Sequence, residues 1–398
     1  MNRPIRVLSL YEGFFAGGAR ILHTDLIAGL HSGAGQRHSV LSIASAARRE
    51  STIQHLHNDP RYLRLTQSGV EVATLGRLGG LDAPAPATFT ERQLRIAANA
   101  VRQADMILSL KEQPIGLLLA LRERGLMPDI PVAACLHRSD PRHSGPALSW
   151  LSEAASNGLL TAEISCAQST SDAYRPFLAP TTARFVIGNG IDTDRFRPGT
   201  DDEQASTRRR FGIPAAAPVV VFAARFDAMK DPGLFLRSAA LLSQQRPETH
   251  FLVCGAGMTV ENDAFRTLVQ DSGVTAATNL HALGIRDDMP AIYQIADIVA
   301  LTSAFGEASP LCLLEGAASG ATPVTTDVGD SAVTVNGIGF VTTHDPATIA
   351  ATWDAVLDQR PELRNQSLSA RARFGRQRMI AEYSAVVSGL LGSNRAAA

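Results

Sequence analysis

The chain has 398 residues, more than a single hydrophobic core usually organises, so two domains are expected. With 45% apolar residues and a net charge of −1, it is neither a disordered chain nor a polycation built for nucleic acid. No apolar run approaches the ~20 residues that span a bilayer. A strand begins within MNRPIRVLSLY, leaving no room for a signal peptide, so a cytoplasmic protein is expected. A small excess of positive charge in the first half permits at most peripheral contact with the inner face of a membrane.

Short apolar runs alternate with amphipathic stretches throughout. In the first half, strands are predicted near Val7–Tyr11, His38–Ala44, Glu71–Leu75, Met106–Leu110, Val132–His137, Glu163–Ala167 and Arg184–Ile187. In the second half they fall near Val219–Ala223, Phe251–Cys254, Leu280–Leu283, Ile298–Leu301, Thr322–Thr325 and Phe340–Thr342. Strands spaced by helical segments indicate crossover units and parallel sheets covered on both faces. A polar, turn-rich join from Gly188 to Glu203 separates two such series. The predicted fold class is α/β, with two doubly wound Rossmann-like domains, residues 1–188 and 189–374, facing a cleft. In such sheets ligands bind at the carboxyl ends of strands. No strand is followed by a G-x-G-x-x-G fingerprint, which argues against a dinucleotide-dependent dehydrogenase.

Candidate residues follow in chain order. Gly17 and Gly18 lie between the first strand and a helix with apolar Ile21, Leu22, Leu26 and Leu30. A glycine pair usually means only a tight turn, but here the turn would lie where a phosphate or sugar can approach the backbone closely. His137 ends the strand VAACLHR, at the edge where this fold places its chemistry. Cys135, Cys166, Cys254 and Cys312 sit in apolar runs without zinc spacing and are expected as buried free thiols; the ten histidines show no metal-ligand spacing either. Lys230 stands out because the chain has one other lysine, Lys111, and arginine meets almost every other basic need. With Arg225 five residues before it, it supplies a pair of cations able to neutralise a diphosphate and stabilise it as a leaving group; the plain alternative is a solvated loop lysine.

The most informative stretch runs from Ile298 to Gly329, IVALTSAFGEASPLCLLEGAASGATPVTTDVG. A strand enters a loop holding Glu307, Pro310 opens an apolar helix containing Glu315, and a second strand leads to Gly329. A helix start offers unpaired N–H groups and partial positive charge, and so binds phosphate. Carboxylates beside it suit hydroxyls instead, and a nucleoside diphosphate sugar carries hydroxyls on both sides of its diphosphate. Capping is the ordinary explanation of two acidic residues near a helix start; the order of the whole block favours a ligand.

This block resembles the donor-binding core of the family 4 retaining glycosyltransferases, of glycosyltransferase-B fold, which carry two glutamates separated by seven residues, here Glu307 and Glu315. AARFDAMKDPGLFL resembles the family's diphosphate-binding segment, and VCGAG, IRDDMPAIYQIADIVAL, NGIDTDRFRP and Gly17-Gly18 extend the likeness over nearly the whole chain. The resemblance implies transfer of a hexose, with retention, from a nucleoside diphosphate sugar, expected to be a UDP-sugar, to a glycan, lipid-linked or small-molecule acceptor. It implies that Glu315 holds the ribose and Glu307 the donor sugar. Arg225, Lys230 and the amides around Ala308, Ser309, Pro310 and Leu311 would stabilise the diphosphate, and His137 would contact sugar or acceptor. No metal and no cofactor beyond the nucleotide sugar is expected. The N-terminal domain would bind the acceptor, and a terminal helix of about 375–392 would return to pack on it, with the tail GSNRAAA fraying. Two departures from the family pattern are visible. Arg20 replaces a frequent acidic residue, and either alters acceptor choice or faces solvent. Ala308 and Ser309 replace a glycine and an aromatic, which bears on the donor sugar. Two other activities fit the same fold: an epimerase or phosphorylase-like enzyme, and a non-catalytic sugar-nucleotide-binding protein.

Overall fold

The computed structural model describes residues 3–14, 18–33, 35–49, 52–80, 83–275 and 279–397. The chain forms two compact units, Met1–Gly190 with Arg376–Ala398, and Ile191–Gly375.

The first unit is built on strands β1 (Ile5–Tyr11), β2 (Gln36–Arg49), β3 (Thr52–His55), β4 (Glu71–Gly79), β5 (Met106–Leu110), β6 (Val132–Leu136), β7 (Ala162–Ser165) and β8 (Ala183–Val186). They pair in the order β3-β2-β1-β5-β6-β7-β8, with β4 also on β2. Every residue of β5, β6 and β7 is buried, as expected of parallel strands covered on both faces. Each strand expected from the sequence is present, with ends displaced by a few residues. The antiparallel strand β3 was not expected, nor was the extension of β2 from Ala44 to Arg49. Ala and Arg in ASAARR have little intrinsic strand preference, and pairing with β3 and β4 overrides it.

The second unit holds β9 (Val219–Ala223), β10 (His250–Cys254), β11 (Asn279–Gly284), β12 (Ile298–Leu301), β13 (Thr322–Thr326) and β14 (Phe340–Thr342), all parallel, in the order β11-β10-β9-β12-β13-β14. One face is sealed by aromatic packing: Phe222 stacks on Phe235 at 4.8 Å, and Trp353 lies 5.3 Å from Phe235.

The terminal helix, Arg376–Ala397, belongs to the first unit. Met379, Tyr383 and Val387 are buried among Val7, Leu26, Met106 and Ile164. Arg378 donates to the carbonyls of Gly188 at 2.9 Å and Asn189 at 3.0 Å, fixing the helix start. Helix continues through Ala397, so the expected fraying of the tail does not occur. Cys135, Cys166 and Cys254 are buried free thiols; Cys312 is only half-buried.

The two tryptophans, Trp150 and Trp353, fall one in each unit. In a Trp353→Phe background, adding Tyr383→Ala should lower the stability reported by Trp150 fluorescence in urea by about 3–5 kcal/mol. An unchanged midpoint would contradict the packing of the terminal helix on the first unit.

Candidate functional site

In the second unit the strand order reverses between β9 and β12, parallel neighbours with 74 residues between Ala223 and Ile298, and the loops leaving the carboxyl ends at such a point are where ligands bind in sheets of this kind. The loop after β9 delivers Lys230, and the loop after β12 delivers Glu307. Lys230 Nζ donates to Glu307 Oε1, and Ser303 Oγ donates to the same oxygen. The two side chains are only 16% and 7% exposed, so the pair is largely withdrawn from water.

The backbone is built to hold this pair. Asp227 caps the short turn Ala228–Lys230, accepting from Met229 N at 2.9 Å. Asp231 adopts a left-handed conformation at φ 42° and caps the helix Pro232–Gln245 through Leu234 N at 2.9 Å. Aspartate tolerates that conformation better than most residues. Thr302, just past β12, donates to the carbonyls of Lys230 at 3.2 Å and Asp231 at 3.0 Å, binding the two loops together. Ser303 is oriented in turn: its carbonyl accepts from Thr326 Oγ1 at 2.7 Å and lies 3.0 Å from His344 Nε2. Gly329, at φ +59°, presses against the Glu307 loop so closely that a Cβ there would sit 1.9 Å from the Glu307 carbonyl oxygen. Gly255 is equally tight against the Lys230 side, where a Cβ would lie 1.9 Å from the Ala224 carbonyl oxygen.

Glu315 lies on the helix Leu311–Ser319, which starts at Pro310 with no side-chain cap. Neither glutamate therefore caps this helix, and a helix start of this kind offers N–H groups to an anion. Tyr293, from the helix Met289–Gln294, hydrogen-bonds to the Glu315 carboxyl, and Arg195 of the NGIDTDRFRP segment acts on it electrostatically. Burial pushes the Glu315 carboxyl up to about 7, while Tyr293 and Arg195 hold it down. Ala308 is buried, Ser309 half-buried, and the Ala308 carbonyl accepts from Asp330 N at 3.1 Å.

The chain matches the description "glycosyl transferases group 1" over residues 203–373. The likeness to that family covers residues 203–373. Curated relatives include the D-inositol 3-phosphate glycosyltransferase of Corynebacterium aurimucosum, 31% identical over 206 residues, covering 50% of this chain and 48% of that protein. The enzyme of the same name from Salinispora arenicola is 33% identical over 222 residues, covering 52% and 48%. The chain thus spans about half the length of the curated relatives it matches. Among solved structures, Anabaena HepE in complex with UDP superimposes with a TM-score of 0.78 at 18% identity, covering 97% of this chain and 100% of that one. The fold of the whole chain is the two-domain glycosyltransferase-B fold.

Within the group 1 domain, the sequence-expected residues are only partly assembled. Lys230, Glu307, Glu315 and the segment Ala308–Leu311 converge as described. Arg225 does not join Lys230 on a common partner: its side chain is 65% exposed and lies 3.5 Å from Asp227, two residues along. Lys230 is taken by a carboxylate from across the sheet, and Arg225 by the nearest one in sequence. Ser303, Tyr293 and Arg195 lie in segments visible in the sequence, but no spacing signals their roles.

The remaining expected residues lie in the first unit. Gly17 lies outside the described residues, and Gly18 begins the helix Gly18–Ser32 and is exposed. Arg20 does not face solvent: it is 13% exposed and paired with Glu12 at 3.0 Å. Ile21, expected on the apolar face of that helix, is 48% exposed. His137 follows β6 directly, and burial, with Lys111 adding to it, holds its ring at about 3, so it is neutral. Among the described residues, no group of three or more His, Cys, Asp and Glu is placed to hold a metal ion.

The Glu315 carboxyl gives a pH signature. Its folded value of about 7 stands above the ordinary 4.5. Its burial cost is therefore absent below about 4.5, where it is protonated folded and unfolded, and fully expressed above about 7. Glu315→Gln, which keeps an acceptor for Tyr293, should gain stability relative to wild type between about pH 5 and pH 8. The gain is on the order of 1–2 kcal/mol, allowing for water at a half-buried group. Urea denaturation at both pH values checks this, and a pH-independent difference would contradict it.

Proposed function

We propose that this protein is a retaining glycosyltransferase that moves a hexose from a nucleoside diphosphate sugar, a UDP-sugar, to an acceptor hydroxyl. The observation that carries the reading is the Lys230–Glu307 pair at the switch point of the group 1 domain, beside an uncapped helix start and Glu315. Two further facts support it. HepE, which shares the fold, was solved with UDP and with UDP-glucose. The curated relatives, which match about half of the chain, are named as D-inositol 3-phosphate glycosyltransferases.

In this reading the ribose hydroxyls donate to Glu315, a carboxylate pre-set by Tyr293. The diphosphate lies over the amides at Ala308–Leu311, where the helix start favours negative charge. Lys230 has three N–H donors, so it keeps one on Glu307 and turns another to the leaving phosphate. Glu307, with a second oxygen outside the Lys230 contact, accepts from a donor-sugar hydroxyl. The bond from the anomeric carbon to the β-phosphate oxygen breaks, and its electron pair leaves with the diphosphate. The acceptor oxygen bonds to the anomeric carbon on the same face, and its proton passes to a departing phosphate oxygen. Lys230 and the helix amides stabilise the charge that develops there, in a site largely withdrawn from water. Arg225, exposed beside Asp227, reaches the diphosphate by a rotamer change. Lys230 and the helix start supply the counter-charge without a metal.

The glutamates separate the roles. Glu315→Ala should weaken binding of free UDP by about tenfold or more, as loss of a charged hydrogen-bond partner does. Glu307→Ala should leave UDP affinity within about twofold and depress transfer. Calorimetry with UDP in EDTA, paired with a transfer assay over a nucleotide-sugar panel, reads both. Equal loss of UDP affinity in the two variants would overturn the division of labour, and binding abolished by EDTA would overturn the metal-free assignment.

A further inference from the structure

In the reading above the donor follows one stretch of chain, with the ribose at Glu315, the diphosphate over Ala308–Leu311 and the sugar at Glu307. Toward lower residue numbers that order leads away from the base and past the sugar, to Phe305. Phe305 lies in the loop that leaves the carboxyl end of β12, two residues before Glu307. The neighbouring strand β13 ends at Thr326, and Asp327 follows it directly. Leu301 and Thr325 are partners across the two parallel strands, so both loops leave the same edge of the sheet side by side.

These loops are fastened to each other and to the Lys230 turn. Thr326 Oγ1 donates to the Ser303 carbonyl at 2.7 Å, and Asp330 N donates to the Ala308 carbonyl at 3.1 Å. Ala304 N, one residue before Phe305, donates to the Met229 carbonyl at 2.9 Å. Gly306, one residue after it, is left-handed at φ 81°, and a Cβ there would lie 2.5 Å from Met229 Sδ. Anchored residues on both sides therefore fix the place of Phe305 in the loop.

Phe305 is 52% exposed, and Asp327 is exposed. Among the described residues no second aromatic ring meets Phe305, and no hydrogen bond or ion pair engages the Asp327 side chain. A single apolar residue at a surface is ordinary. An aromatic ring kept there by constrained backbone, two residues from a buried carboxylate at the ligand edge of a parallel sheet, is a different case.

A pyranose carries hydroxyls around its rim and C–H groups on its faces. The C–H face suits the negative π face of an aromatic ring, and a hydroxyl suits a carboxylate, which only accepts. An aromatic platform with an acceptor on the neighbouring loop therefore fits a sugar better than a phosphate. A carboxylate on the sugar would meet a like charge at Asp327, which, unlike Glu307, has no ammonium paired to it. Like charges brought together cost affinity and so discriminate between ligands.

We propose that Phe305 and Asp327 are specificity-determining residues that select an uncharged hexose on the nucleotide, Phe305 by stacking on its apolar face and Asp327 by accepting from one of its hydroxyls. This rests on the glycosyltransferase reading and names the class of its donor sugar.

The test is calorimetry on the full chain with UDP, with UDP-glucose, UDP-galactose and UDP-N-acetylglucosamine, and with UDP-glucuronic acid. Wild type should bind at least one of the uncharged nucleotide sugars more tightly than UDP-glucuronic acid. Phe305→Ala should lower the affinity for that sugar nucleotide, relative to UDP, by about threefold or more, and Phe305→Trp should restore it. Asp327→Asn, which keeps the size and an acceptor but not the charge, should narrow the discrimination against UDP-glucuronic acid by about fivefold or more. Both side chains are exposed, so neither change disturbs the core. Wild type that binds UDP but prefers UDP-glucuronic acid, or variants with unchanged ratios, would overturn this assignment alone. Equal loss of UDP and sugar-nucleotide affinity in Phe305→Ala would overturn it too, because the ring would then serve the nucleotide. Failure of wild type to bind UDP or any nucleotide sugar would overturn the glycosyltransferase reading instead.

Discussion

An ammonium and a carboxylate withdrawn from water cost more to desolvate than their attraction returns, unless further hydrogen bonds complete them. The Lys230–Glu307 pair meets that condition, because Ser303 donates to the same Glu307 oxygen and is itself fixed through its carbonyl by Thr326 and His344. Around it the second unit uses its most constrained backbone. Asp231 is left-handed, Thr302 bridges the two loops, and Gly255 and Gly329 allow neighbouring backbone to approach where no Cβ fits. A pair assembled at that cost in conformational freedom is better explained by a ligand than by stability, since replacing such a pair with apolar residues is often neutral or stabilising.

Both units place polar side chains at the same kind of position, the reversal point of a parallel sheet. In the second unit the groups balance, lysine against glutamate. In the first, Lys111, Arg20 and Arg138 lie near Glu12 and Glu112.

Much of this was legible in the sequence for identifiable reasons. Continuous apolar runs of strand length located inner strands such as β5, β6, β10 and β12, because these are buried on both faces. The spacing of Glu307 and Glu315 survives as geometry, because it is carried by one loop and the helix it enters. What depends on contacts between distant segments was not legible. The Lys230–Glu307 bond joins residues 77 apart. Arg225 was paired with Lys230 on sequence proximity, but the nearest carboxylate, Asp227, takes it. Lys111 served only to show how rare lysine is; its left-handed backbone appears once β5 and β6 lie side by side. Strand β3 was hidden because its pairing, not its composition, makes it a strand.

The central claim is that Lys230 acts as a compact charge on the leaving diphosphate while bonded to Glu307. Arginine keeps the charge but presents a planar fork in place of a point. The decisive measurement compares turnover and UDP affinity for wild type and Lys230→Arg. A misplaced donor costs most where charge develops, so turnover should fall by the equivalent of about 2–4 kcal/mol while UDP affinity changes far less. Turnover close to that of wild type would show that the Lys230–Glu307 pair only braces the loops, and would contradict the account.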